Sequence, residues 1–189
     1  LLLAVHPASG GSRMELWDAR SGQFLRTVGS SPVAVWQAQF SPDGKSLAAS
    51  GEGWKTRVWS TTDWVSRSLD DSECTNAWRL AFSLNGSRLA QLDREGAEVL
   101  DLGFGKRLLK VKERFTQALA LSPDGHWLAL GVQNGIVQLW NVDRGEQSGA
   151  LRGHLSVPVG LSFAPDGRTL ASSGDTQVKL WNLETQQEI

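Results

Sequence analysis

The sequence predicts an all-β protein, a β-propeller built from four-stranded antiparallel blades. Two markers repeat along its 189 residues at one period, and the segments between them alternate apolar and polar residues as half-buried strands do. The first marker is a Ser-Pro-Asp-Gly turn or a close variant, at residues 41–44, 83–86, 122–125 and 164–167. The second marker is an apolar residue followed by Trp, giving Trp17, Trp59, Trp140, Trp181 and, where Leu replaces the Trp, Leu100.

Both markers have a period near 41 residues. The turns are 42, 39 and 42 residues apart, and the residues of the second marker are 42, 41, 40 and 41 apart. A period of about 40–45 residues is typical of a propeller blade. No segment shows a sustained apolar stripe at helical spacing, so the sequence predicts no helix.

The recurring turn has a physical explanation. Pro42 presets φ at the first corner, Asp43 tolerates the second, and Gly44 adopts positive φ without a Cβ clash. Such a turn closes the hairpin between the first two strands of a blade. In the third unit the Pro and the Asp are replaced but Gly86 is retained. We interpret the turn carboxylates as structural.

The period divides the chain into a partial blade at 1–29, blades at 30–70, 71–112 and 113–153, and a partial blade at 154–189. The opening "LLLAV" aligns with the second strand of a blade, and the last unit stops early in its outer strand. We therefore expect about four and a half blades, belonging to a larger ring of about seven. Terminal blades would otherwise leave bare apolar faces and unpaired strand edges. Self-association into a ring and an open arc are the alternatives.

The repeats resemble the WD-repeat β-propeller family, in a bacterial-type form with degenerate repeats. The fifth unit carries the pattern best, with Gly153-His154, then "LSFAPDGRTLASSGD", then "TQVKLWN". The resemblance implies a network of side-chain hydrogen bonds in this blade, formed by His154, Ser172, Asp175 and Trp181. The other units depart from the pattern, so we expect their blades to depend on packing alone. Some periplasmic propellers and peptidase caps use the same hairpin, but the recurring Trp-Asp or Trp-Asn pair favours the WD-repeat family.

Composition and motifs argue against several function classes. The formal net charge of −1 comes from 19 basic and 20 acidic residues that are interspersed, so we expect neither nucleic-acid binding nor membrane insertion. His6, His126 and His154 lack metal-ligand spacing, and Cys74 is the single cysteine. We find no phosphate-binding loop and no nucleophile with a base, and we predict no enzyme activity, no metal and no cofactor. One thiol fits a cytoplasmic location.

The predicted binding surface lies at the leading ends of the inner strands, which we name the top face. Strand alternation aligns Trp36 with the core positions Ala38 and Phe40, and the equivalent leading residues are Trp78, Gln117 and Val159. Trp36 and Trp78 are the best candidates for a binding hot spot, unless they fill the space between blades.

The loops between second and third strands open onto the same face. They add Glu52, Trp54, Asp93, Arg94 and Gln133 to the predicted site. Trp54 stands out because a turn flanked by glycine offers little local packing.

These observations predict a non-catalytic scaffold for protein–protein interaction, whose top face binds a protein or peptide. Self-association, or further blades supplied by a longer chain, would complete the ring. The alternative is a regulatory or sensory WD-repeat domain of a larger bacterial signalling enzyme, with a kinase or nucleotide hydrolase elsewhere in the chain.

Overall fold

The computed structural model describes residues 1–8, 10–31, 33–69 and 71–189, so the unit boundary expected at residue 70 lies outside the described residues. Within these ranges the chain forms strands, turns and bends, and no helix. None of its elements is therefore a helix that could cross a membrane. The strands form five antiparallel sheets, each built from strands that are consecutive in sequence. The predicted all-β propeller fold is confirmed.

We name the sheets blades one to five. Blade one has three strands, β1 (Leu2–Ala8), β2 (Gly11–Trp17) and β3 (Phe24–Ser31). Blades two and three have four strands each: β4 (Val35–Phe40), β5 (Ser46–Gly51), β6 (Trp54–Ser60) and β7 (Ser66–Ser68), then β8 (Arg79–Phe82), β9 (Arg88–Asp93), β10 (Gly96–Asp101) and β11 (Lys106–Val111). Blades four and five also have four strands each: β12 (Ala118–Leu121), β13 (Trp127–Val132), β14 (Ile136–Asn141) and β15 (Glu146–Arg152), then β16 (Gly160–Phe163), β17 (Thr169–Gly174), β18 (Gln177–Asn182) and β19 (Gln187–Glu188). The inner strands β4, β8, β12 and β16 contact one another in that order, so the blades stand side by side.

In blades two to five the repeated turn closes the hairpin between the first two strands, and its glycine N–H donates to the carbonyl three residues earlier. In blade two the Ser41 hydroxyl donates to the Asp43 carboxylate at 2.6 Å, and the Asp43 carboxylate accepts the Lys45 N–H at 3.1 Å. Gly44 has φ of 71° and donates its N–H to the Ser41 carbonyl at 2.9 Å. In blade three Asn85 accepts the Ser83 hydroxyl at 2.8 Å, so the amide oxygen takes the carboxylate's place. The structural role predicted for the turn carboxylates is confirmed at Asp43.

The hydrophobic core lies between blades. Leu92 and Val99 of blade three share one buried cluster with Leu121 and Leu130 of blade four. Three similar clusters fill the spaces between the other neighbouring blades. The recurring Trp, or the Leu that replaces it, packs in each case against the preceding blade. The members of this set are Trp59, Leu100, Trp140 and Trp181.

Blade five leaves one apolar face uncovered. Val178 on β18 is 70% exposed, and Leu180 on the same strand is also exposed. The equivalent residues of blade four, Val137 and Leu139, are buried between blades four and five. The same strand position is therefore buried where a further blade follows and exposed where none is present.

A close backbone approach joins blade four to the loop that enters blade five. The turn between β13 and β14 has Asn134 at φ of 61° and Gly135 at φ of 69°. A Cβ atom on Gly135 would lie 1.8 Å from the carbonyl oxygen of His154, which no L-residue can tolerate without a backbone shift. Gly145, in another turn of the same blade, has the same φ of 69° but no heavy atom within 4 Å of its ideal Cβ position.

These two glycines provide a matched pair of substitutions. Gly145→Ala should lower the free energy of unfolding by about 1–2 kcal/mol, because only the left-handed backbone opposes the methyl group. Gly135→Ala should cost about 1–3 kcal/mol more, because the backbone around His154 must also move. Denaturant unfolding of both variants measures the difference. Equal losses would show that the close approach between the two blades does not contribute to stability.

Candidate interaction surface

Blade five contains the four residues that the resemblance assigns to a side-chain network. The Ser172 hydroxyl oxygen accepts the Trp181 indole N–H at 2.8 Å and lies 2.7 Å from His154 Nε2. His154 Nδ1 is 3.6 Å from an oxygen of Asp175, which is a charge contact but too long for a hydrogen bond. That carboxylate oxygen accepts the Leu155 N–H at 2.7 Å. All four side chains therefore lie along one contact path between β18, β17 and the incoming loop.

The neighbouring carboxylate favours the proton of the His154 ring on Nδ1. In that tautomer Nε2 accepts, so the hydrogen bonds run from Trp181 to Ser172 and from Ser172 to His154. The Ser156 hydroxyl and the Leu155 N–H lower the pKa of Asp175, which keeps its carboxylate ionised beside the ring. A buried serine thus joins two strands to the loop that begins the blade.

Blade three contains a second buried network, so the expectation that the other blades depend on packing alone is wrong. Gln91 on β9 occupies the position that Ser172 has on β17, three residues after the start of the strand. Its amide nitrogen donates to the Ser72 hydroxyl at 2.6 Å, and that hydroxyl donates to Glu98 at 2.9 Å. Its amide oxygen accepts the Thr56 hydroxyl of blade two at 2.6 Å. The network therefore also joins two blades.

Two cations compensate the buried Glu98 carboxylate. Arg107 Nη1 lies 3.4 Å and Lys110 Nζ 3.5 Å from the same oxygen of Glu98. Both cations also contact Glu73, and hydrogen bonds from Lys110 and Arg107 lower the pKa of Glu73 to about 2.

Burial, followed by the Asp93 charge, raises the pKa of the nearby Cys74 thiol far above its ordinary value. This thiol is buried and protonated, and therefore unreactive in the folded chain.

The predicted top-face residues have different surroundings. Trp36 is 46% exposed and Val159 is 58% exposed, and Gln117 is exposed as well. Trp78 is half-buried and packs against the core between blades three and four. Strand alternation predicts that Trp78 faces the same way as Leu80, which packs between blades two and three. The difference arises because Trp78 precedes the first residue of β8, where the alternation of a strand does not yet hold.

The loop residues of the predicted site also have unequal roles. Glu52, Arg94 and Gln133 are exposed, whereas the Asp93 carboxylate accepts the N–H groups of Glu95 at 2.9 Å and Gly96 at 3.2 Å to shape its own turn.

Trp54 has more local packing than its turn suggests. Its ring contacts the core between blades one and two, and the Arg57 guanidinium lies 5.9 Å from the ring centroid. With Glu52 it lines a cavity of about 320 Å³ at that blade boundary. Trp54 is therefore held in place by the core and is only partly available to a partner.

Two residues of this surface were not predicted from the sequence. The Gln37 side chain bridges neighbouring inner strands, with its amide oxygen accepting the Leu80 N–H at 2.8 Å. Phe115, in the loop before β12, is 66% exposed and has φ of 62°. Gln37 could not be predicted because the alternation of an inner strand does not indicate which side chain spans to the next strand. Phe115 could not be predicted because an aromatic residue in a loop is not part of a periodic pattern.

Three segments of the chain match the WD40 family model (WD domain, G-beta repeat), namely residues 22–60, 115–141 and 145–182. Together they cover more than half of the chain. The chain belongs to the WD-repeat family. The matched segments of this WD-repeat chain leave out residues 61–114, which include blade three with its Leu100 and its different buried network.

Similar proteins extend along nearly the whole WD-repeat chain. The "WD repeat-containing protein SL1-17" of Schistosoma mansoni is 28% identical over 173 residues, which are 91% of this chain and 44% of that protein. Human "Transducin beta-like protein 2" is 30% identical over 203 aligned residues, 94% of this chain and 44% of that protein. The "Periodic tryptophan protein 2 homolog" of Dictyostelium discoideum is 27% identical, covering 92% of this chain and 20% of that protein. The chain spans less than half the length of each relative, and these eukaryotic proteins give no support to the bacterial-type qualification.

The described side chains of His, Cys, Asp and Glu form no group of three that could hold a metal ion. The two buried networks are each occupied by their own internal hydrogen bonds and ion pairs. The predicted top-face residues carry apolar, aromatic, amide and charged side chains.

Removing the Ser172 hydroxyl tests the network of blade five. Ser172→Ala should lower the free energy of unfolding by about 1–3 kcal/mol, because the buried Trp181 N–H and the His154 ring lose their shared partner. Ser173→Ala, on the same strand and without a side-chain hydrogen bond in the described part of the chain, should change it by less than about 0.5 kcal/mol. Thermal or urea unfolding compares the two variants, and equal effects would exclude a stabilising network.

Proposed function

We propose that this WD-repeat chain is a non-catalytic scaffold whose top face binds a protein or peptide. The observation that carries the proposal is the exposure of large apolar side chains at the leading ends of the inner strands. Trp36 is exposed on β4 and Val159 is exposed directly before β16, and both lie beside exposed polar loops. Partly exposed aromatic residues on a rigid surface are the side chains that contribute most to protein interfaces. The exposed Gln117 completes this row.

Other observations support the same function. Membership of the WD-repeat family agrees with a propeller that presents surfaces, and the net charge of −1 agrees with a protein partner better than with a nucleic acid. A cytoplasmic setting belongs to the proposal, supported by the single buried thiol.

The experiment removes one aromatic side chain from each edge of the blades. Trp36→Ala should weaken binding of a captured partner by about tenfold or more, because a large aromatic contact is lost. Phe104→Ala is the matched control, since Phe104 is 90% exposed in the turn between β10 and β11, at the edge opposite the top face. Partners are captured with the unmodified protein, identified by mass spectrometry, purified, and titrated against each variant.

Trp78→Ala is measured in the same way, and circular dichroism of all three variants confirms that they are folded. If every purified partner binds Trp36→Ala and Trp78→Ala as tightly as the unmodified protein, the top face is not the binding surface. If Phe104→Ala is the variant that loses binding, the surface lies at the opposite edge.

A second candidate function is that of a regulatory or sensory domain of a larger signalling enzyme. The catalytic domain would lie elsewhere in that longer chain. It is favoured by the bare face of β18, where Val178 and Leu180 are exposed although their equivalents in blade four are buried. Further blades of the same polypeptide would cover this face. A ring of two copies is disfavoured, because two sets of about five blades exceed the usual range of about four to eight.

The bare face should make the 189-residue chain associate with itself. We expect its mass from light scattering to rise with concentration, and Val178→Lys with Leu180→Lys to suppress that rise by placing charges on the exposed face. Phe104→Lys, at an exposed turn, controls for added charge and should suppress it less. A mass that stays monomeric at all concentrations would contradict the need for a covering blade.

A further inference from the structure

Phe115 is unfavourable to the folded chain in two ways at once. Its side chain is two-thirds exposed, and its backbone lies in the left-handed region, where bulky residues are genuine outliers. Neither burial nor local backbone preference explains a phenylalanine at this position. Strained, exposed residues of this kind concentrate at ligand-binding sites.

Blade three shows what the fold itself prefers at this position. Asn76 stands three residues before β8, as Phe115 stands three residues before β12, and its φ is 64°. Asparagine is among the few residues that adopt this conformation at low cost. Its side chain also accepts the Gly53 N–H at 2.7 Å, which makes it part of the structure. The same backbone shape therefore accommodates Asn in blade three and Phe in blade four.

Phe115 lines a groove of about 410 Å³ at the top face between blades three and four. Trp78 and Gln117, both predicted binding residues, line it too, so the floor combines two aromatic rings with an amide. A cleft of this size accommodates a few side chains of a bound segment. Trp36 is not among the lining residues, so the groove is separate from the exposed tryptophan of blade two.

The rim of the groove has an excess of positive charge. Arg94 and Arg114 face a single carboxylate, that of Glu95, which pairs with Arg114 at 3.1 Å in an exposed contact worth little. No described carboxylate lies within ion-pair distance of Arg94. The nearby Asp93 carboxylate already accepts backbone N–H groups. A partner carboxylate therefore finds one free guanidinium and a second that is only weakly paired.

We propose that this groove binds a short acidic peptide segment of a partner protein, with one aromatic side chain against Phe115 and Trp78 and a carboxylate at Arg94. The inference rests on the proposed scaffold function and adds the chemistry of the partner. The aromatic side chain covers the exposed ring of Phe115, and the carboxylate supplies the charge that the rim lacks. Gln117 offers amide hydrogen bonds to the backbone of the segment.

The test selects ligands from a phage-displayed library of random peptides on the folded protein. We expect enrichment of sequences that place Asp or Glu close to Phe or Trp. A fluorescent peptide of the enriched sequence is then titrated by polarisation. Phe115→Asn should weaken its binding by about tenfold or more, and Arg94→Ala should weaken it and reduce its sensitivity to salt.

The Phe115→Asn variant also separates binding from folding. Because Asn suits the left-handed backbone better than Phe, its melting temperature should stay equal or rise while peptide binding falls. A lower melting temperature with unchanged binding would show that Phe115 is structural and overturn the proposal. Selection that enriches no acidic aromatic sequence would also overturn it. Phe104→Ala should bind the peptide normally.

These outcomes are independent of the test of the scaffold function. If captured partners require Trp36 but ignore Phe115→Asn, the scaffold stands and the groove proposal fails. If the selected peptide requires Phe115 and Arg94 while captured partners ignore Trp36→Ala, the groove stands and the wider top-face assignment fails.

Discussion

Each blade buries its apolar faces only against its neighbours, and the rest of the structure follows from this constraint. A single twisted sheet cannot cover both of its own faces, so one blade alone has no complete core. Leu121 and Leu130 of blade four are buried because blade three supplies Leu92 and Val99. Where no further blade is present, as at Val178, the equivalent apolar side chain is exposed. Stability is therefore a property of neighbouring pairs more than of single blades.

The same constraint explains why both polar networks form at the same position of the second strand, although their residues differ. A residue at the middle of the second strand is buried on its blade's face and must find hydrogen-bond partners there if it is polar. Ser172 finds Trp181 and His154, whereas Gln91 reaches further and finds Ser72 and a threonine of the preceding blade. The blade-three side chains therefore pair without the family pattern, whereas in blade five His154 Nδ1 has only the 3.6 Å contact with Asp175.

The sequence was sufficient to predict the features that repeat. Blade number, antiparallel hairpins and the buried Trp positions follow from a period shared by two markers, because every blade meets the same packing requirement. The turn chemistry was also predictable, since Asp43 and Gly44 act within four residues of chain. These properties are local or periodic, and one sequence contains several copies of each.

Features that depend on contacts between blades could not be predicted in this way. Gln91 and Thr56 are 35 residues apart, and nothing in either segment indicates that they meet across a blade boundary. Strand alternation predicts that Trp78 faces the same way as Leu80, but Trp78 lies before the strand begins and packs toward the next blade. Such pairings are set by the three-dimensional arrangement of neighbouring sheets.

The best guide to function is a residue whose identity the fold does not explain. Most exposed positive-φ positions have a residue that suits them, such as Asn134 in its hairpin. Phe115 does not, and its blade-three counterpart Asn76 shows that the fold accepts a better-suited residue. Neither the period, the core nor the hydrogen-bond networks require an exposed aromatic ring at that point. Phe115 is not needed by the fold, and its left-handed backbone costs free energy. Contact with a binding partner is the most direct explanation for such a residue.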